Sequence, residues 1–385
     1  EQRGLGSGGA LTPTKRRHPG QVICVCGCMA RQEHVAQRLR QSFPYVDLVF
    51  GPQLLWQFPQ LLLEKLTTGK RVFATQDVPG AVAEGIPVVR QNPRKAWVSI
   101  MYGCNNFCTY CIVPYVRGRE RSRQPEDILA EVRELAAAGY QDITLLGQNV
   151  NSYGKDLDRG VDFAWLLEQV NAIPGDFLIR FMTSHPKDAG ERLFDTMAAC
   201  EKVAPVLHLP FQSGSSRVLK AMNRGYTREH SLALVAQLRA RIPDIVLTSD
   251  VIVGFPGETQ EEFEETLSLI EEVRFDSLFT FIFSPRRGTP AEKLDDPMPK
   301  EQKNANFQRL LQRQNQISGE KHQAYVGKTL RCLVDGQGED GRLTARTAGG
   351  RLVHLAAEPG VIGTWQEVRV TGASTWALFG ELAAR

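Results

Sequence analysis

The sequence has no apolar run approaching the roughly 18 residues of a membrane-spanning helix, so no membrane partner is expected. The opening Glu1-Gln2-Arg3 has no apolar core behind a basic start, so it does not read as a signal peptide. An excess of one charge is also missing. The 46 basic and 43 acidic residues leave +3, too little to imply a nucleic-acid partner from net charge alone. There is no long low-complexity tract and no convincing internal repeat, which argues against solenoids and disordered tails. What remains is an ordinary globular composition, 42% hydrophobic and 23% charged over 385 residues. Such a chain buries a core without staples and divides into two or three domains.

Against this plain background the eight cysteines stand out. They fall as Cys24, Cys26 and Cys28, then Cys104, Cys108 and Cys111, then Cys200 and Cys332 singly. Two tight triplets without a secretory signal point to metal rather than to a disulfide framework.

The hydrophobic pattern orders the chain into four stretches. Residues 1–75 open with a Gly-rich piece, Gly4 to Gly9, and then alternate strand-like and helix-like runs. Val22–Cys26 reads as a buried strand, Arg31–Ser42 as an amphipathic helix, Val46–Phe50 as a strand and Leu54–Leu66 as a helix. This is α/β, but short for a whole domain. Residues 76–95 carry Pro79, Gly80, Gly85, Pro87 and Pro93 with little periodicity and read as a linker. From 96 to 324, strand-like runs at Ala96–Met101, Asp142–Leu146, Leu178–Met182, Val206–Leu209, Ile245–Val253 and Ser277–Phe283 alternate with helices. Pro125 suits a helical first turn, and Thr259 with Glu262 forms a capping box. Six such alternations predict a parallel α/β sheet closed or partly closed as a barrel. Residues 325–385 show short β runs split by Gly-rich turns, a small all-β barrel or sandwich.

Polar residues gather where the predicted barrel strands end: Gly147-Gln148-Asn149, Ser184-His185, Gln212-Ser213-Gly214 and Gly254 to Glu258. Parallel barrels carry their active sites there. Cys104-x3-Cys108-x2-Cys111 follows the first of these strands directly. Three thiolates on one loop can bind a four-iron, four-sulfur cluster and leave the fourth iron open to substrate. The alternative is a structural zinc with a fourth ligand such as His185 or His208. The position at a barrel mouth favours the cluster.

The loop and its surroundings carry a family resemblance. Cys104-Asn-Asn-Phe-Cys108-Thr-Tyr110-Cys111 is similar to the signature of the radical S-adenosylmethionine superfamily. The stretch from Ser99 to Arg123, with Leu145 to Gly154, Thr183-Ser-His-Pro186, His208 to Gly214 and Ser249 to Glu258, resembles the methylthiotransferase branch. Among these it is most similar to the tRNA 2-methylthio-isopentenyladenosine synthases, over about Lys15 to Leu382. The resemblance implies a partial (β/α)6 barrel of TIM type, an N-terminal α/β methylthiotransferase domain and a C-terminal TRAM-like domain. It implies that Cys104, Cys108 and Cys111 hold a [4Fe-4S] cluster whose open iron binds S-adenosylmethionine. It further implies that Tyr110, Gly147, Gln148 and Asn149 contact the cofactor, with Ser184, Gln212 and Asp250 as further contacts. The alternative for these last residues is a polar mouth without cofactor contact.

Cys24 and Cys26 are two apart on one strand, poor geometry for a single cluster, and are expected to be small buried core residues. Gly27-Cys28-Met29-Ala30 resembles the third ligand segment of an auxiliary [4Fe-4S] cluster that supplies sulfur in the family. The first two ligands lie earlier in relatives, and no cysteine precedes Cys24 here, so the chain is expected to lack the N-terminal part. Cys200 and Cys332 are expected in cores.

Seven basic residues between Arg90 and Arg123 oppose one acid, Glu120. Among them Arg117, Arg119, Arg121 and Arg123, interleaved with aromatics, form a candidate RNA strip; the alternative is a solvated loop. The expected activity is 2-methylthiolation of isopentenyladenosine beside a tRNA anticodon. The expected partners are the tRNA anticodon loop and a small redox protein as electron donor, for a cytoplasmic monomer. Alternatives are threonylcarbamoyl-adenosine in tRNA or a ribosomal protein as target, or a non-catalytic iron–sulfur RNA-binding protein.

Overall fold

The computed structural model describes residues 11–76, 84–86 and 88–383. The Gly-rich opening and much of the expected linker lie outside them. The chain divides into two compact units. The first comprises 1–89 with 102–107 and 112–121; the second comprises 90–101, 108–111 and 122–385.

The first unit is built on a parallel sheet of β1 (Cys24–Cys26), β2 (Leu48–Phe50) and β3 (Val72–Ala74), with β2 central. Helices Glu33–Ser42 and Phe58–Thr68 connect the strands. Ile23, Val35, Leu39, Val46 and Val49 form the larger apolar cluster. One expectation fails here. Cys24 and Cys26 are exposed, because strand residues alternate faces and it is Ile23 and Val25 that turn to the core. Cys28 is partly buried and opens the short turn Cys28–Arg31. The helix Val113–Arg117 packs against that turn.

The second unit contains six parallel strands: β4 (Lys95–Ser99), β5 (Asp142–Leu146), β6 (Leu178–Phe181), β7 (Val206–His208), β8 (Val246–Val253) and β9 (Ser277–Ile282). They form two three-stranded sheets, β4-β5-β6 and β7-β8-β9, and a single parallel bridge between Ile179 and Val203 links the two. Helices between the strands cover the outside, giving the partial (β/α)6 barrel. The helix Pro125–Ala137 begins with its proline in the first turn. Gln260–Val273 opens with the complete Thr259/Glu262 capping box, a device of about 1 kcal/mol. One continuous core, from Ala96 to Ile317, runs through these layers and includes Cys200.

The helix Lys300–Gln323 leads to a closed five-stranded barrel of β10 (Thr329–Gln337), β11 (Leu343–Thr347), β12 (Leu352–Ala356), β13 (Trp365–Ala373) and β14 (Leu378–Leu382). The last strand is not evident from the sequence. It lies parallel to β12 and antiparallel to β13, so it closes the barrel and removes both sheet edges. Cys332 is fully buried in this core.

Candidate functional site

β4 delivers the chain to the cysteine loop at its C-terminal end. In the first unit, Gly103 has φ 80°, and a Cβ there would lie 2.0 Å from the Arg119 carbonyl oxygen, so only glycine fits. The Cys104 N–H donates to the Gly118 carbonyl at 3.2 Å. In the second unit, the Cys111 N–H donates to the Cys108 carbonyl at 2.9 Å, forming a tight turn. Thr109 fixes that turn from both ends: its N–H donates to Met222 O and its hydroxyl to Ala221 O, each at 3.0 Å. Cys104 and Cys108 are buried and Cys111 partly so. Among the described residues, no trio of His, Cys, Asp or Glu side chains is drawn together tightly enough to grip a single ion.

The strand ends of the second unit hold buried polar atoms without partners among the described residues. Asn149, 1% exposed, donates through Nδ2 to Asp188 Oδ2 at 2.7 Å and leaves Oδ1 unpaired. Ser184 Oγ and His185 Nε2 are likewise buried and unpaired, while His185 Nδ1 accepts from the Lys187 N–H at 3.2 Å. Burial, helped by the nearby Arg224 cation, pushes the His185 imidazole down to about 2, so the ring is neutral. Buried polar groups are nearly always paired, so such a cluster marks a place that takes a polar ligand. Gly147 offers room to it by having no side chain: a Cβ would meet Met101 Cγ at 2.6 Å.

Backbone strain gathers at the same level. Thr183 and Gln212 have φ of 72° and 69°, a region where a β-branched residue is a true outlier. The Gln212 N–H donates to Asp250 O at 3.0 Å. The Asp250 carboxylate in turn lies 3.5 Å from His208 Nε2. Below this level the barrel lumen is a cavity of about 650 Å³ lined by Trp97, Met182, His208 and Phe279, with Arg351 and Trp376 of the C-terminal barrel at its base.

Two participants are absent from the sequence reading. Arg224, 5% exposed, points Nη1 at Cys108 Sγ at 3.3 Å and at the Tyr110 hydroxyl at 3.4 Å. Its turn, Met222 to Tyr226, follows a helix rather than a strand end, and it meets the cysteine loop only in the fold. Trp97 reads as one more strand residue, yet it is 66% exposed and faces the lumen. Burial also raises the Tyr110 phenol well above its ordinary value, so it stays protonated.

The basic strip is mostly spoken for. Arg123 is buried and donates to Glu131 Oε2 and Ser99 O, so it is an internal tie rather than a phosphate contact. Arg90 also pairs with Glu131, and Lys95 with Asp335. Arg119 is exposed, with its guanidinium 4.4 Å from the Phe107 ring centre. Arg121 donates to the Arg117 carbonyl.

Residues 98–270 match the radical SAM superfamily and residues 323–383 match the TRAM domain. The chain is 50% identical over 376 residues to the tRNA-2-methylthio-N(6)-dimethylallyladenosine synthase of Acetivibrio thermocellus, covering 97% of this chain and 78% of that protein. It is 48% identical to the enzyme of the same name from Thermoanaerobacter sp., covering 99% and 82%. Among solved structures, coproporphyrinogen III oxidase from Escherichia coli, a radical SAM enzyme, matches with a TM-score of 0.46 at 17% identity. That match covers 72% of this chain and 67% of that one.

Proposed function

The chain belongs to the tRNA-2-methylthio-N(6)-dimethylallyladenosine synthases, and from that premise we propose how its residues carry the reaction. It is a radical S-adenosylmethionine methylthiotransferase that converts dimethylallyladenosine (isopentenyladenosine) in tRNA to its 2-methylthio derivative. Cys104, Cys108 and Cys111 are the ligands of the [4Fe-4S] cluster. Three thiolates on one loop, two of them buried, suit a cluster that keeps one iron open. When bound, the cluster supplies the electron that splits the S-adenosylmethionine sulfonium into methionine and a 5′-deoxyadenosyl radical.

The chain's own residues orient and shield. The segment Gly147-Gln148-Asn149, with Ser184, Gln212, Asp250 and Tyr110, binds the cofactor. The unpaired Asn149 Oδ1 and Ser184 Oγ supply hydrogen-bonding capacity that no described residue uses. His185, neutral, offers Nε2 to the same ligand.

The lumen takes the modified base. Its walls are largely apolar, and each cation lining it has a carboxylate beside it: Arg180 has Asp142, Arg351 has Asp276, and Lys95 and Arg346 share Asp335. A largely apolar chamber favours a hydrocarbon substituent over one bearing a carboxylate. That preference separates a dimethylallyl adenosine from a threonylcarbamoyl adenosine. This match of chamber to substrate is the observation that carries the reading.

Cys28 is the ligand this chain offers to an auxiliary cluster, and the helix that leaves the cysteine loop packs against its turn. Arg117, Arg119 and Arg121 with the TRAM domain contact the tRNA anticodon loop. A small redox protein donates electrons in the cytoplasm, and the protein works as a monomer. The working domains are 1–75, the barrel 96–324 and the TRAM-like barrel 325–385. No helix among the described residues is long and apolar enough to cross a membrane.

The experiment is nucleoside mass spectrometry of tRNA from a host lacking its own 2-methylthio activity and expressing this chain. Appearance of 2-methylthio-dimethylallyladenosine supports the reading; a product on threonylcarbamoyl-adenosine instead would overturn it.

A further inference from the structure

We propose that Arg224 sets the reduction potential of the cluster held by the cysteine loop, by donating a hydrogen bond from a fixed positive charge to the Cys108 sulfur. The inference rests on the ligand assignment above and deepens it.

Arg224 is built into its position. The residues on either side, Asn223 and Gly225, take φ of 57° and 71°, and the Arg224 N–H donates to Leu219 O at 3.0 Å. Two left-handed residues around one arginine fold the turn back toward Cys108 and Tyr110 of the cysteine loop, 116 and 114 positions earlier in the chain. The guanidinium then fans out. Nε donates to the Tyr226 hydroxyl at 2.9 Å, Nη2 to Pro210 O at 2.7 Å, and Nη1 to Cys108 Sγ at 3.3 Å and the Tyr110 hydroxyl at 3.4 Å.

None of these partners is a carboxylate. Other arginines of the second unit that are buried or partly buried do have one: Arg351 has Asp276, Arg123 has Glu131 and Arg180 has Asp142. A buried cation without a counter-ion is costly. Of the four acceptors, one is a carbonyl and two are phenols with an ordinary value of about 10, so Cys108, deprotonated when it holds iron, is the one that supplies an anion. The cation is therefore matched to a thiolate, and through it to the cluster.

The charge bookkeeping gives the sign. A [4Fe-4S] core of charge +2 with three thiolates carries −1, and accepting one electron from an outside reductant makes it −2. A fixed positive charge hydrogen-bonded to a ligand sulfur stabilises the −2 state more, so it raises the potential. Hydrogen bonds to sulfur and local charge are known levers on such clusters. Arg224 acts through Cys108, so it is a positioning residue rather than a catalytic one.

The test is an EPR-monitored redox titration of anaerobically reconstituted protein, with dithionite as reductant, comparing wild type with Arg224→Gln and Arg224→Lys at equal iron content. In Arg224→Gln the ratio of reduced to oxidised cluster at a fixed solution potential falls about tenfold or more, a negative shift of 59 mV or more for one electron. Arg224→Lys, which keeps the charge, recovers most of it. An Arg224→Gln potential equal to that of wild type would overturn the proposal while leaving the ligand assignment intact. Wild-type protein that holds no cluster would instead sink the assignment itself. A second measurement does not depend on the variants folding. Wild-type protein labelled with 15N at the arginine guanidinium shows a 15N hyperfine coupling in the reduced cluster's pulsed-EPR spectrum; its absence would overturn the proposal.

Discussion

Asp276, at the start of β9, holds the guanidinium of Arg351 from the C-terminal barrel in an ion pair whose two side chains are 2% and 7% exposed. The same carboxylate accepts from Lys321 Nζ at 2.9 Å and from the Leu247 N–H at 2.8 Å. One buried acid thus ties β8, the connecting helix and the TRAM-like barrel to a single point at the foot of the lumen.

Burial pushes the Asp276 carboxyl up, but Arg351 and Lys321 overcome it and hold the group below its usual range. A lowered folded value means stability that is present above the ordinary carboxylate range and lost as the pH falls through the folded value. Asp276→Asn strands a buried guanidinium and is expected to cost about 3–5 kcal/mol. Urea unfolding at pH 7 and at a pH well below 3.8 checks it, with the gap between variant and wild type narrowing in acid.

Glu258 behaves in the opposite sense. Burial is the main cause that raises its carboxyl to about 7; the Gly254 N–H, donating at 2.6 Å, opposes this and Glu262 adds to it. A raised folded value favours the protonated form, so stability is fully present below the ordinary value of 4.5 and lost as the pH rises through 7. Glu258→Gln removes that slope and is expected to gain up to roughly 3 kcal/mol relative to wild type at pH 8. Thermal melts at pH 5 and pH 8 test it; parallel pH dependence in both proteins would contradict it.

Trp97 and Phe279 wall the chamber assigned to the base. Replacing Trp97 with Ala removes an aromatic wall worth about 1.5–3 kcal/mol. The expected result is a fall of roughly ten- to a hundredfold in kcat/KM for dimethylallyl tRNA, with cleavage of S-adenosylmethionine in the absence of tRNA unchanged. Steady-state kinetics with dimethylallyl tRNA, run beside 5′-deoxyadenosine formation without tRNA, separate the two effects.

Cys28 is testable by composition. The cluster held by Cys104, Cys108 and Cys111 accounts for about four irons after anaerobic reconstitution. Cys28→Ala should leave the four in place.

Much of this was legible in the residues. The barrel strands announce themselves as β-branched apolar runs, and their polar ends mark the mouth, because a parallel strand buried on both faces has no other place for polar groups. Capping signals at Pro125 and Thr259 are local chemistry and read directly. What escaped was long-range or two-sided. Cys24 and Cys26 look like core residues, but a strand's period of two hands the core to Ile23 and Val25 instead. β14 is short and interrupted by Gly380, whose missing side chain is what lets Val368 approach: a Cβ would lie 2.6 Å from its Cγ1. Arg123 belongs by charge to the basic strip, yet its partner Glu131 lies two helical turns into the following helix. Arg224 meets Cys108 only through tertiary folding, so no local pattern reveals it.

The central claim is that the loop from Cys104 to Cys111 makes this chain a radical enzyme. Liquid chromatography of 5′-deoxyadenosine formed from S-adenosylmethionine by reduced, reconstituted protein tests it most directly. Wild type is predicted to form the nucleoside, and Cys104→Ala, Cys108→Ala and Cys111→Ala each to form none. Retained cleavage in any one of the three would contradict the account.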